Sequence, residues 1–403
     1  MLLHILLVTA VTASFFKDMA SLSMYEGDTL TSGKDNKSPL AVPFAVSSGE
    51  NVTGAPLLPV SKKVTYVDQL ALFPTAAQLA VPGYAKNNDY NIVCFSFWLH
   101  EVGPKDAAES WTKLDSATRQ SYINAFHSVG KRVLISAFGE TDAPTTNGAD
   151  AVDTATRLAA FVKDYGFDGV DVDYEDHRAF ANGTAENWII SLTQTLRLLL
   201  PSPHYSISHA PQAPMFSSKR DYLPGGGYVA IEKAAGSSID WYNIQFYNQV
   251  VEAYDTCTTL LQKSIEIQGT SLFEIAAKGV PLSKLVIGKP AAPKAAVGKN
   301  SGWMESASLA KCVLQAKGLG WNAGVMGWNF EFDPQGQWIA EVGGSLDSTI
   351  STATAGPVET VVATIDSSRP RNTYSDPYYG ILDLSGSEKL VSVTLLTFIV
   401  FLF

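Results

Sequence analysis

The sequence is poor in cysteine, poor in histidine and short of positive charge. Three cysteines occur in 403 residues: Cys94, Cys257 and Cys312. No two of them form a CxxC pair, which sets aside a cysteine-built metal site. At most one disulfide can form within the chain, and one thiol is left over. Cys94 lies in the apolar run Ile92–Trp98 and is expected to be a buried free thiol. His100, His177 and His209 have no metal-ligand spacing, so no metal site is expected. Basic residues number 29 against 39 acidic ones, a net charge of −10. Such a chain lacks the field that draws phosphate backbones or anionic membranes, so no nucleic acid partner is expected. The same balance says nothing against an uncharged polymer such as a polysaccharide. No GxGxxG follows the first apolar strand, so a dinucleotide-binding fold has no support and no cofactor is expected.

Both ends read as addresses. Leu2 to Ala13 is a short apolar run ending in small residues, and 1–13 is expected to be a signal peptide. Leu390 to Phe403 is apolar to the last residue. Its length as a helix is ~21 Å, short of a ~30 Å hydrocarbon core. With a signal peptide at the other end, 390–403 resembles a GPI-anchor signal. Ser385-Gly-Ser387 offers small residues for attachment, with a spacer shorter than usual. Asn51-Val-Thr and Asn182-Gly-Thr are glycosylation acceptors in pattern. These features agree with a secreted protein held at a cell surface or wall.

Between the ends the composition changes twice. Residues 14–60 mix Ser, Gly, Pro, Asn and Lys and read as an extended lead-in. Residues 346–389 are rich in Ser, Thr and Pro and read as a stalk. The body, 61–345, alternates short apolar runs with amphipathic ones. The expected strands are Lys63–Val67, Tyr90–Trp98, Lys131–Phe138, Phe167–Tyr174, His204–His209, Trp241–Tyr247, Leu285–Gly288 and Ala323–Asn329. Helical stretches are expected at Ser116–Val129, Ala149–Tyr165, Ala185–Leu200 and Thr258–Lys278. Eight strands mostly separated by helices fit a (β/α)₈ TIM barrel, with an open doubly wound sheet as the alternative.

The strongest signal is Asp168-Gly-Val-Asp-Val-Asp-Tyr-Glu175. Side chains alternate across a strand, so Val170, Val172 and Tyr174 share one face and Asp171, Asp173 and Glu175 the other. An inward row of carboxylates is costly to desolvate, and repulsion raises some of their pKa values. Folding does not require it; an acid catalyst does. Glu175, last in the row, belongs at the C-terminal rim where barrel sites are built. A solvated edge, a calcium or magnesium loop and a silent binding relic are the competing readings. The first is opposed by the apolar flanks, the second by a Gly that precedes the acids, the third by the intact Glu175.

These residues carry a resemblance. Asp168–Glu175 is similar to the family 18 glycoside hydrolase pattern DGxDxDxE. Ser136-Ala-Phe-Gly139, Ser208–Pro214, Asp240–Asn248, Gly288–Pro293 and Gly324–Trp328 resemble, in order, strand ends of class III and fungal chitinases. Phe138 departs from the family's Gly, which puts the shape of the site floor in question. The resemblance implies a retaining glycosidase whose substrate supplies its own nucleophile. Glu175 would be the general acid and base, and Asp173 the partner of the 2-acetamido group. Asp171 would share a proton with Asp173, and Tyr247 would bond the acetamido oxygen. Gln245, Asn248, Asp168 and the apolar Trp328 would complete the sugar site. Met326 shares a face with Trp328 and reads as packing.

Three functions stay open: a chitinase, an endo-β-N-acetylglucosaminidase acting on N-glycan cores, and an inactive chitin-binding wall protein. In each case the partner is chitin or another N-acetylglucosamine glycan, and a monomer is expected.

Overall fold

The structure is a computed structural model that describes residues 54–79, 89–249, 253–296 and 302–348. The expected signal peptide, the stalk beyond 348, the apolar tail and the Asn51 acceptor lie outside the described residues. Eight parallel strands form one closed sheet: β1 Lys62–Val67, β2 Ile92–Leu99, β3 Arg132–Gly139, β4 Gly169–Tyr174, β5 Ser206–His209, β6 Trp241–Gln245, β7 Leu285–Pro290 and β8 Gly324–Trp328. Each pairs with its sequence neighbours, and β1 pairs with both β2 and β8 to close the ring. A two-residue antiparallel strand, Gly103–Pro104, adds to the rim of β2. The doubly wound alternative is set aside by that closure.

Helices cover the outside. The chief ones are α1 Asp106–Thr112, α2 Ser116–Ser128, α3 Ala151–Tyr165, α4 Ala185–Leu199, α5 Gly227–Ala235, α6 Leu272–Ala277 and α7 Ser306–Gly318. Their starts follow sequence chemistry. Asp115 and Asp150 accept bonds from Thr118 and Asp153 N–H groups, taking up donors that a helix start leaves free. Gly166 ends α3 in a left-handed turn. The inward stripe of α3, Leu158, Phe161 and Val162, is buried.

One expected helix is corrected. Thr258–Lys278 is not continuous: Thr258–Gln262 is a single π turn, and α6 starts only at Leu272. Ser271 and Glu274 make a capping box there, which fixes a helix start in mid-stretch. Cys257 and Cys312 form a disulfide, and Cys94 is the buried free thiol. Asn182 is exposed, just past the short helix His177–Ala181.

Candidate active site

The acidic motif divides into two halves with different work. Asp168 precedes β4, and its carboxylate accepts from the Val133 N–H at 2.8 Å and faces His127 Nε2 at 3.0 Å. It stands at the opposite end of the strand from Glu175, roughly 23 Å away at ~3.3 Å per residue. The expectation that Asp168 lines the sugar site is therefore corrected: it ties β4 to β3 and α2. Gly169 has φ +151°, and a Cβ there would overlap the Ser206 backbone. Asp168 and Gly169 thus let β4 lie against its neighbours.

The other half points into the barrel. Asp171 is fully buried and takes bonds from four other strands. Tyr66 Oη (2.8 Å) and Ser136 Oγ (2.9 Å) donate to Oδ2. Ser208 Oγ (2.6 Å) and Asn243 Nδ2 (3.0 Å) donate to Oδ1. Burial pushes its pKa up, and these four donors pull it back toward the charged form. Four donors thus surround Asp171, and its charge helps to raise the pKa of Asp173.

Asp173 is different. Burial, then the charges of Glu175 and Asp171, hold its pKa well above the carboxylate range. A hydrogen bond to Glu175 acts in the same direction. Burial and these neighbours therefore favour the protonated form of Asp173. The Gln245 amide donates to Asp173 Oδ1 (2.9 Å), Glu175 Oε1 (3.1 Å) and the Ala210 carbonyl (2.8 Å). Gln212 Nε2 donates to Glu175 Oε2 at 2.7 Å. Each oxygen of Glu175 thus meets one amide.

Tyr247 sits beside these acids, two residues past the end of β6. Burial first, then the fields of Asp173, Glu175 and Asp171, hold its phenol far above its ordinary pKa. It stays an O–H donor at any working pH. Asn248 leaves the strand in a left-handed conformation (φ +62°) that Asn tolerates better than most residues. Trp328 ends β8, half-buried, with its ring 5.4 Å from Tyr66 and stacked 6.3 Å from Phe97. The barrel thus brings Asp171, Asp173, Glu175, Gln245, Tyr247 and Trp328 to one mouth and leaves Asp168 out. Tyr66 and Gln212 join the site without having been singled out. Alternation along β1 would have put Tyr66 on the inner face with Val64, and Gln212 stands in a stretch already noted for its strand end.

Phe138 does not alter the floor. Its backbone keeps a glycine-like conformation, φ +81°. The ring points outward against Trp98, Tyr174 and Trp188, at 6.4, 6.2 and 5.7 Å. At the other side of the mouth, Asp68 follows β1 and accepts from Asn329 Nδ2 at 2.8 Å. Burial and the neighbouring Glu331 carboxylate push Asp68 up to about 6. Among the described residues, no group of three His, Cys, Asp or Glu side chains is placed to hold a metal.

A (β/α)₈ barrel with two neighbouring carboxyls, Asp173 and Glu175, at the C-terminal end of its fourth strand defines a class, the barrel glycosidases. Residues 62–343 match the pattern of the family described as Glycosyl hydrolases family 18. A family 18 chitinase structure from Pseudoalteromonas aurantia is 29% identical, with a TM-score of 0.58, covering 71% of this chain and all of that one. A second, from Chromobacterium violaceum, shares the fold at 18% identity and TM-score 0.54, covering 75% of this chain and 87% of its own. Endochitinase 4 of Metarhizium robertsii is 26% identical over 240 residues, which is 52% of this chain and 64% of that relative's length. The chain belongs to glycoside hydrolase family 18 and is a member of the glycosidases.

Proposed function

We propose that this protein is a chitinase, cutting β-1,4-linked N-acetylglucosamine by a retaining route in which the substrate supplies the nucleophile. One observation supports the mechanism: a single amide nitrogen of Gln245 bonds Asp173 Oδ1 at 2.9 Å and Glu175 Oε1 at 3.1 Å, so the two carboxyls stand side by side. Two-carboxylate glycosidases hold their carboxyls about 5–9.5 Å apart with the scissile bond between them. Two carboxyls on one strand, held side by side by one amide, do not flank a bond from opposite faces. The nucleophile then comes from the sugar, whose 2-acetamido group lies beside the anomeric carbon.

The proton passes from Asp173 to Glu175, and Glu175 gives it to the glycosidic oxygen as the C1–O bond breaks. The acetamido oxygen bonds C1 and forms an oxazolinium. Asp173, now a carboxylate, accepts the acetamido N–H and balances the positive ring. Tyr247 donates its O–H to the acetamido oxygen and aims it. Trp328 forms the apolar face under the ring, and Gln245 and Asn248 border it. Water then attacks C1, gives its proton to Glu175 and restores the acetamido group. Every step uses groups of the chain and the sugar, so no cofactor enters.

Chitin is favoured as substrate by the names of the relatives, an endochitinase and a chitinase. The test is a digest of colloidal chitin beside a high-mannose glycoprotein, with wild type and Glu175→Gln. Chito-oligomers from wild type alone support the reading. Release of intact glycans with no chito-oligomers would replace it with the endo-β-N-acetylglucosaminidase reading. Equal chitin binding by both proteins with no turnover by either would replace it with a wall lectin. We also propose that the protein is secreted and held at the surface by a lipid exchanged for residues 390–403. The Cys257–Cys312 disulfide supports an oxidising compartment. Release from cells by phospholipase C tests the anchor.

A further inference from the structure

β7 carries a lysine at its penultimate position, Lys289, and the side chain is fully buried. A buried ammonium is tolerated when each of its protons finds an acceptor. Here the three donors meet three backbone carbonyls from three separate segments. They are Phe246 at 3.0 Å, Tyr254 at 2.5 Å and Gly302 at 2.7 Å. Asp255 is the acid whose field it feels.

Phe246 is the residue between Gln245 and Tyr247. Its N–H donates to the Gly288 carbonyl at 3.2 Å while its carbonyl accepts from Lys289. Both polar groups of that one peptide step are therefore tied to β7. Gly302 presses on the same place, in a left-handed turn (φ +83°). A Cβ on it would come within 2.6 Å of the Phe246 carbonyl and 2.7 Å of Tyr247 Cα. Tyr254 also holds a left-handed turn, φ +59°. Two turns and the end of β6 thus converge on one nitrogen beside Tyr247.

We propose that Lys289 is a positioning residue for the reaction: by gathering the Phe246, Tyr254 and Gly302 carbonyls it fixes the backbone that aims Tyr247. This rests on the role given to Tyr247 above. Lys289 touches no substrate. A displaced Tyr247 leaves the sugar bound but mis-aims the acetamido oxygen, so the loss falls on turnover.

The test has two arms. In the first, kcat and KM on a chito-oligosaccharide of defined length are measured for wild type, Lys289→Met, Tyr247→Phe and the double variant. Lys289→Met should lower kcat about 10- to 100-fold, as small misplacements of reacting groups do, with KM changed less than about threefold. In the Tyr247→Phe background the same change should cost almost nothing further. An equal loss in both backgrounds, or wild-type kcat, overturns the proposal. The second arm needs no turnover. In protein labelled at the tyrosine ring carbon bearing oxygen, the Tyr247 resonance, assigned by its loss in Tyr247→Phe, should shift, broaden or double in Lys289→Met. An unchanged resonance overturns the proposal even if wild type cleaves no chito-oligosaccharide, an outcome that counts separately against the function. Should Lys289→Met fail to fold, Lys289→Gln, which keeps an amide donor, carries both arms.

Discussion

Tyr66 and Asp171 meet across the barrel: the phenol on β1 donates at 2.8 Å to a carboxylate on β4, among four donors that hold that charge. Removing one donor from a buried carboxylate costs about 1.5–3 kcal/mol. Tyr66→Phe is therefore expected to lower the urea midpoint by a matching amount, with the overall fold kept. A midpoint equal to wild type would mean that the charge of Asp171 is held without Tyr66.

In the proposed mechanism Asp173 supplies the proton that Glu175 delivers, and later the charge that faces the oxazolinium. Asp173→Asn keeps the shape and removes both. Turnover of a chito-oligosaccharide should fall roughly 100-fold or more, while oligosaccharide binding measured by calorimetry stays within a few-fold. A near-normal rate would remove Asp173 from the reaction.

Phe138 sits in a backbone conformation suited to glycine, which costs about 1–2 kcal/mol. Its ring also fills a pocket between the sheet and α4, and deleting such a ring costs about 3–5 kcal/mol. Phe138→Gly is expected to be destabilised by the difference, about 1–4 kcal/mol. The kcat per folded molecule should not change, since the ring faces away from the mouth. Loss of kcat at full folding would show that the outer face shapes the site.

Asp68 gives a dependence on pH with a definite sign. Its folded pKa, about 6, is above the ordinary carboxylate value of 3.8. Between those values the folded protein holds a proton that the unfolded chain gives up, so this group's contribution falls as pH rises from 4 through 6. Above pH 6 the buried charge costs up to about 3 kcal/mol, one pKa unit being about 1.4. Asp68→Asn does not titrate. The stability of Asp68→Asn relative to wild type should improve between pH 4 and pH 7.5, by thermal melts at both. A constant difference would show that the carboxyl titrates normally.

Much of this was legible in the sequence, for physical reasons that differ by residue. Alternation placed Asp171, Asp173 and Glu175 on one face because a strand has a period of two, whatever surrounds it. The eight strands stood out because apolar runs of strand length alternate with helical ones. Asp168 was misplaced because a motif reads as one unit, while its first residue serves the bottom of the strand and its last the top. Tyr66 and Gln212 were passed over since their partners lie on other strands, and no local spacing records that. The break inside 258–278 turned on one capping box, Ser271 with Glu274, against a run of apolar residues. The pairing of Cys257 with Cys312 is a matter of tertiary distance, which spacing does not contain.

The disulfide has one more consequence. Cys257 and Cys312 are 55 positions apart, and the span they close includes α6, all of β7 with Lys289, and Gly302. That portion of the barrel is a covalent ring. A protease that cuts it once produces no fragments: the two pieces stay joined through sulfur, with both halves of the wall behind Tyr247 still attached. Such a nick would be visible on a gel only after reduction.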